Sequence, residues 1–358
     1  MAASMPLPSA KARRQQDSIL PGVSRTFALT IPQLPEDLRP GITNAYLLCR
    51  TADTIEDSAR LTPADKSDHY RSLLAALDGN LPPADFAKAL QSAAPIPAAP
   101  ERELLDAMPQ VTAVFQGLPE TQRRPLRRCL GVMCDGMARF EHLKQPTGLP
   151  DRAHFRDYCY VVAGVVGEFL TEIFCQADPR IAARRETLLR LAPGFGQGLQ
   201  MTNILKDIWD DRQRGICWLP RDLFLAHGCR LEAGAPWHDE AAFRTGLMEL
   251  VAVAHRHLRQ ALEYTRLIPR EQAGIRRFCS WAIGMALYTL QNIHREPGFS
   301  DSARAKISRH RLRAVIATCN LAVGSDRLLR LGFAWAARGL PLPSPDQLHP
   351  IAAEERST

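Results

Sequence analysis

The sequence predicts an all-α protein. Apolar residues return at three- and four-residue steps through five long stretches, 42–60, 126–142, 188–209, 243–265 and 275–293, which is the spacing of one buried helix face. Prolines gather between such stretches, at positions 32, 35 and 40, from 82 to 100, and at 341, 343, 345 and 350, where they act as punctuation. The third observation is acidic: Asp53 and Asp57, then Asp207 and Asp211, form two pairs at i, i+4 spacing, so each pair shares one helix face.

Taken in order, the 42–60 helix places Tyr46, Arg50, Asp53 and Asp57 within an arc of about 60°, away from Leu47, Leu48 and Ile55. The 81–100 stretch is rich in Ala and Pro and reads as an exposed connection. After the 126–142 helix comes 160–166, whose valines favour a strand on propensity. Its length and the small Ala163, Gly164 and Gly167 equally suit a closely packed helix. The 188–209 helix carries the second polar stripe, with Gln200, Asn203, Asp207 and Asp211 spanning about 80° beside Leu199, Ile204, Leu205 and Ile208. Two more apolar-periodic helices, 243–265 and 275–293, complete the set. No internal repeat or linker divides the chain, so one domain is expected over 18–340, with flexible termini at 1–17 and 341–358.

A chain of 358 residues with 46% hydrophobic content can fill a substantial core. Its net charge of +7 comes from scattered arginines without a long basic run or a recognition motif, which argues against a nucleic-acid partner and leaves small polyanions such as a diphosphate. Nine cysteines, an odd number with no Cys-x-x-Cys, fit small core residues in a reduced, cytoplasmic compartment. No stretch of roughly 18 unbroken apolar residues appears, and no apolar segment follows the basic residues of 1–17. The expectation is a soluble protein, or one that touches a membrane peripherally.

Like charges at i, i+4 weaken an isolated helix, and embedding them among apolar residues calls for a compensating cation. Magnesium shared with a phosphate ester meets that need with hard oxygen ligands, and arginine adds forked donors for the same phosphate. A lone Asp-x-x-x-Asp is most often a solvated helix face. Two pairs on separate apolar helices, with Arg50 and Asn203 in register, favour the metal-diphosphate reading.

At this point the chain resembles the squalene/phytoene synthase family. The resemblance runs in order through residues 23–27 (VSRTF), 50–57 (RTADTIED), 158–168 (YCYVVAGVVGE), 200–211 (QMTNILKDIWDD) and 278–290 (FCSWAIGMALYTL). It implies an all-helical isoprenoid-synthase bundle around a central cavity, which decides 160–166 for helix. It also implies an enzyme of the farnesyl-diphosphate farnesyltransferase type, which joins two farnesyl diphosphates head to head. Asp53, Asp57, Asn203, Asp207 and Asp211 match its magnesium ligands, with Glu56 and Asp210 off the main stripes and ranked lower. Arg25 and Arg50 resemble diphosphate-binding positions, with Ser24 and Gln200 beside the same groups and Tyr46 on the same face as Arg50, while Phe27, Val161, Val165 and Leu199 are expected along the hydrocarbon. Tyr158 matches a tyrosine of the first half-reaction, in which either it or the released diphosphate takes the proton. Lys206 points about 100° from Asp207 and reads as a surface or supporting residue. Arg212 and Arg214 either close over phosphate or terminate the helix.

The 278–290 block resembles the squalene-forming branch, and Lys306 and Arg309 resemble its basic segment near NADPH, although Ala282 stands where proline is common. The resemblance therefore favours reduction of the final cation to squalene. A relative that stops at presqualene diphosphate, or loses a proton to give phytoene or dehydrosqualene, is the alternative. A helical assembly factor on the same fold would be expected to lack the aspartates. The membrane anchor of eukaryotic members is not evident, since 321–340 carries Asp326, Arg327, Arg330 and Arg338 within its apolar run.

Overall fold

Helices with an apolar stripe make up most of the structure, a computed structural model that describes residues 10–24, 26–96, 98–235, 237 and 240–343. In chain order they include α1 (Ala10–Val23), α2 (Arg39–Glu56), α3 (Pro63–Leu77), α4 (Pro83–Ala93), α5 (Glu120–Glu141) and α6 (Arg152–Cys159). They continue as α7 (Val165–Ala177), α8 (Arg185–Gln213), α9 (Ala241–Leu267), α10 (Ala273–Arg295), α11 (Arg309–Ala322) and α12 (Asp326–Ala336). Among the described residues no strand forms, and β pairing is confined to isolated bridges of Gln145 with Cys217 and Leu149 with Pro220. The all-α expectation holds.

Local chemistry sets many of the helix starts. Thr62 and Asp65 cap α3 reciprocally, Asp151 accepts from the His154 amide at the head of α6, and Ser308 and Ser325 do the same for α11 and α12. Two sequence expectations need correction. The 81–100 stretch is largely helical: Pro83 starts α4, where its missing N–H costs nothing, and Phe86 and Leu90 one turn apart bury completely. Residues 10–17 belong to α1, held by buried Gln16, whose Nε2 donates to the Pro40 carbonyl at 3.0 Å.

One contiguous cluster of buried apolar side chains runs from Ala12 to Leu340. At its centre α8 packs along α7, α9 and α10. Between α6 and α7 the chain makes a π-helical turn, Tyr160–Gly164, and here the small residues permit close approach. A Cβ on Gly167 would lie 2.2 Å from the Ala192 carbonyl oxygen, and one on Gly196 would lie 2.0 Å from that of Ala163. The combined stretch Arg152–Ala177 is long and apolar enough to cross a bilayer, yet half of that window is buried and it forms a wall of the core. All nine cysteines are unpaired, most of them buried.

Candidate active site

Helices α2, α5, α7, α8 and α10 enclose a cavity of about 670 Å³. Its deeper walls are apolar and aromatic, with Phe27, Phe174, Phe195, Tyr264 and Phe278 among them. Its mouth is acidic, because Asp53 and Asp57 from α2 meet Asn203, Asp207, Asp210 and Asp211 from α8. The two sequence stripes thus face one space.

On the α2 side, Arg50 donates to Glu101 at 2.7 Å and lies 3.8 Å from Asp53. Asp53 lines the cavity with 36% of its side chain exposed, and the surrounding protein removes part of its hydration. That burial, with Asp57 adding repulsion against the opposing pull of Arg50, pushes its carboxyl up to about 7. Tyr46 donates to the Val23 carbonyl at 3.0 Å and packs its ring on Phe27, with centroids 4.9 Å apart. The Ser24 hydroxyl accepts from the Phe27 amide at 2.9 Å, so its structural work is to start the short helix that presents Phe27. Arg25 lies outside the described residues.

On the α8 side, burial pushes Asp211 up to about 6 in spite of Arg214, with Asp207 and Asp57 adding repulsion. Arg214 spans the mouth, contacting Asp211 and donating to Asp57 at 3.0 Å. Arg212 instead stacks on Trp237, 3.8 Å from its centroid, and donates to the Ala235 carbonyl. Of the two arginines, only Arg214 lines the cavity. Lys206 departs from its helical-wheel position, because its flexible stem carries Nζ to 3.1 Å from Asp207 and 3.3 Å from the Asn203 side-chain oxygen. Gln200 and Leu199 line the cavity one turn deeper.

Beneath the mouth, Tyr158 is buried, stacked on Trp218 at 3.8 Å between centroids, and its hydroxyl lies 3.3 Å from both Glu56 carboxylate oxygens. Glu56 sits well off the Asp53/Asp57 stripe, which gives it the lower rank in the sequence. That same offset turns it toward Tyr158. Burial, opposed by Lys144 and reinforced by Asp53 and Asp57, pushes Glu56 up to about 8, and burial also raises the Tyr158 phenol well above its ordinary range. Lys66 and Lys144 donate to the Glu56 carbonyl at 2.7 and 2.9 Å and pair with Glu141. Sequence reasoning missed Glu101, Glu141, Lys144 and Trp218, which reach the site from other segments and lie outside both acidic stripes. Glu56 alone carried a signal, its place inside the first acidic box.

Val161 and Val165 do not line this cavity. Val161 packs over Gly136 of α5, and Val162, Ala163, Val166 and Gly167 face the cavity instead. Val161 and Val165 share the neighbouring face, one position before each cavity-facing valine, and are buried in the core there. Lys306 stands 3.8 Å from Asp210 at the rim, while Arg309 begins α11 on the exposed surface. Two thiols, Cys49 and Cys279, also face the cavity, and burial pushes Cys279 up to about 12.

Among the described residues no three Asp, Glu, His or Cys side chains converge tightly enough to chelate an ion by themselves. The carboxylates are spread along two helices, an arrangement that suits magnesium ions sharing their coordination with water and diphosphate oxygens. The raised Asp53 and Asp211 carboxyls point the same way, because a bound dication would offset the desolvation and repulsion that raise them.

A model of the squalene/phytoene synthase family matches residues 20–311. Squalene synthase BSS of Botryococcus braunii is 30% identical over 283 residues, covering 76% of this chain and 56% of that protein. Squalene synthase of Rattus norvegicus is 28% identical over 271 residues, covering 75% of this chain and 60% of its own length. The chain therefore spans under two thirds of these relatives. A ligand complex of TcSQS superposes with a TM-score of 0.70 at 25% identity, over 91% of this chain and 92% of that one. A dehydrosqualene synthase shares the fold at a TM-score of 0.63 and 21% identity, over 87% and 96% of the two chains. With the family match running through both acidic helices and the cavity walls between them, the chain belongs to the squalene/phytoene synthase family.

Proposed function

We propose that this protein condenses two farnesyl diphosphates head to head through presqualene diphosphate and reduces the product to squalene with NADPH. The observation that carries the reading is the acidic mouth over an aromatic-walled cavity, which suits a substrate with a charged head and a hydrocarbon tail. Asp53, Asp57, Asn203, Asp207 and Asp211 would hold magnesium, which supplies charge neutralisation for the leaving diphosphate. Arg50 and Arg214 supply further positive charge at the same place, and Gln200 an amide beside them. Deeper in, the ring faces of Phe27, Phe195 and Phe278 exclude water from the allylic cation and bring electron-rich surface near it.

Closure of the cyclopropane requires loss of one proton from the coupled chains. Tyr158 would relay it, the phenol oxygen taking the proton as its own hydroxyl proton passes to the Glu56 carboxylate 3.3 Å away, with the ring stacked on Trp218. Lys66 and Lys144 hold the Glu56 backbone in turn. The charge and exposure of Lys306 and Arg309 suit the phosphates of NADPH, whose hydride would distinguish squalene from an unreduced product.

Incubation of the purified chain with farnesyl diphosphate and magnesium, with and without NADPH, tests the reading. Squalene is expected with the nucleotide, and presqualene diphosphate or unreduced hydrocarbon without it. An identical product and hydrogen count in both reactions would reassign the chain to the non-reducing branch of its family.

A further inference from the structure

The outer surface of α11 and α12 has a composition unlike the rest of the molecule. Of the seven most exposed large apolar side chains among the described residues, five lie here: Leu321 (81% exposed), Leu328, Leu331 (57%), Trp335 (67%) and Leu342. Helix α12 carries two apolar stripes. Leu329, Phe333 and Ala336 turn inward, where Leu329 and Phe333 pack with Leu262 and Ala322. Leu328, Leu331 and Trp335, at i, i+3 and i+7, share an arc of about 60° on the outside. Residues 309–343 also hold six arginines against a single acidic residue, Asp326, so five of the chain's seven net positive charges fall in this one-tenth of its length. Arg309, Arg313, Arg327, Arg330 and Arg338 are exposed.

We propose that the α11–α12 face is a docking surface for an anionic lipid bilayer. A short, rigid helix with a leucine and tryptophan stripe beside arginines is the chemistry that lies in a headgroup interface, where the apolar stripe sinks to the acyl boundary and guanidinium groups meet lipid phosphates. A protein partner would need a matching acidic, apolar surface; a bilayer supplies both properties without shape complementarity. The face is also held firmly. Arg270 and Arg276 of the α10 side pair with Asp326 at one end of α12, and His255 donates to the Pro341 carbonyl at 2.8 Å beyond the other.

This surface lies one helix from the apolar part of the cavity. Helix α10 presents Phe278, Cys279 and Ala282 to the cavity, and Gly284 of the same helix meets Val315 of α11 so closely that a Cβ there would come within 2.6 Å. Delivery of a water-insoluble hydrocarbon into the bilayer on that side rests on the function proposed above. Docking rests on the surface alone.

Vesicle flotation of the full chain tests the proposal, using phosphatidylcholine vesicles with and without phosphatidylglycerol. Flotation is expected with the anionic vesicles only, falling as salt is raised. The double variant Leu331→Glu/Trp335→Glu should bind at least about tenfold more weakly, and Arg327→Glu/Arg330→Glu severalfold more weakly. Both should keep the wild-type circular dichroism and rate of diphosphate release in detergent solution. Absence of wild-type flotation, equal flotation of the variants, or a dimer in solution that Trp335→Glu dissolves would overturn the docking surface. Flotation by a chain that consumes no prenyl diphosphate would keep the docking surface and remove its role in product delivery.

Discussion

Asp53, Asp57, Asp207 and Asp211 would hold the leaving diphosphate through magnesium, and amide replacements preserve their shape while removing charge. Each Asp→Asn variant should lose at least about a hundredfold in turnover, comparable to the loss of one electrostatic donor in other sites, with helicity unchanged by circular dichroism. Wild-type rates from all four would remove the mouth from the chemistry. Tyr158→Phe keeps the ring stacked on Trp218 and deletes only the hydroxyl near Glu56. Single-turnover formation of the cyclopropyl intermediate should slow on the order of a hundredfold while substrate binding holds. An unchanged first step would assign the proton to the leaving diphosphate instead. Much of this residue-level pattern was legible, because i, i+4 acidic pairs show in any helical reading. Glu56 was underrated for a geometric reason: a wheel drawn for one helix sees its own stripe and not the tyrosine approaching from α6.

Among the elements, the segment that runs through the π turn at Tyr160–Gly164 into α7 presents Val162, Ala163, Val166 and Gly167 to the cavity. The resemblance puts Val161 and Val165 along the hydrocarbon, but both belong to the neighbouring buried face, one position before each cavity-facing valine. The small residues around the turn were readable as a sign of close packing. Gly167→Ala and Gly196→Ala should each cost about 1–3 kcal/mol, because the new methyl meets backbone of the facing segment rather than a movable side chain. Denaturant unfolding measures this, and a neutral result at both positions would mean that the α7–α8 contact is looser than described. Helix α4 went unread for a different reason. Prolines at both ends mask a short amphipathic helix whose buried residues are three, Phe86, Ala87 and Leu90.

For the molecule as a whole, the order and periodicity of the long helices were legible, whereas the segments that cross between them to bring Glu101, Lys144 and Trp218 to one place were not. Assembly has an electrostatic consequence. Asp53, Glu56 and Asp211 have folded-state values of about 7, 8 and 6, all above the ordinary carboxylate range near 4. Below that range the groups are protonated in both folded and unfolded chains and oppose nothing. As pH rises toward about 8 the unfolded chain releases its protons first, so the ligand-free protein should lose stability progressively across this window. The melting temperature should fall by a few degrees between mildly acidic and mildly alkaline buffer, and magnesium with inorganic diphosphate should restore it. A melting temperature that rises with pH in the ligand-free protein would contradict the description of the mouth.

The thiols in the cavity wall bear on how long such a catalyst survives. An allylic cation is an alkylating agent, and a thiolate within reach would trap it as a thioether, ending the life of that molecule. Cys279 is pushed up to about 12 by burial, and Cys49 is raised well above its ordinary range by its contact with Cys129 and by burial. Both are therefore held as neutral thiols, far weaker nucleophiles at physiological pH. Under the function proposed above, keeping these two thiols neutral would slow their alkylation by the allylic cation.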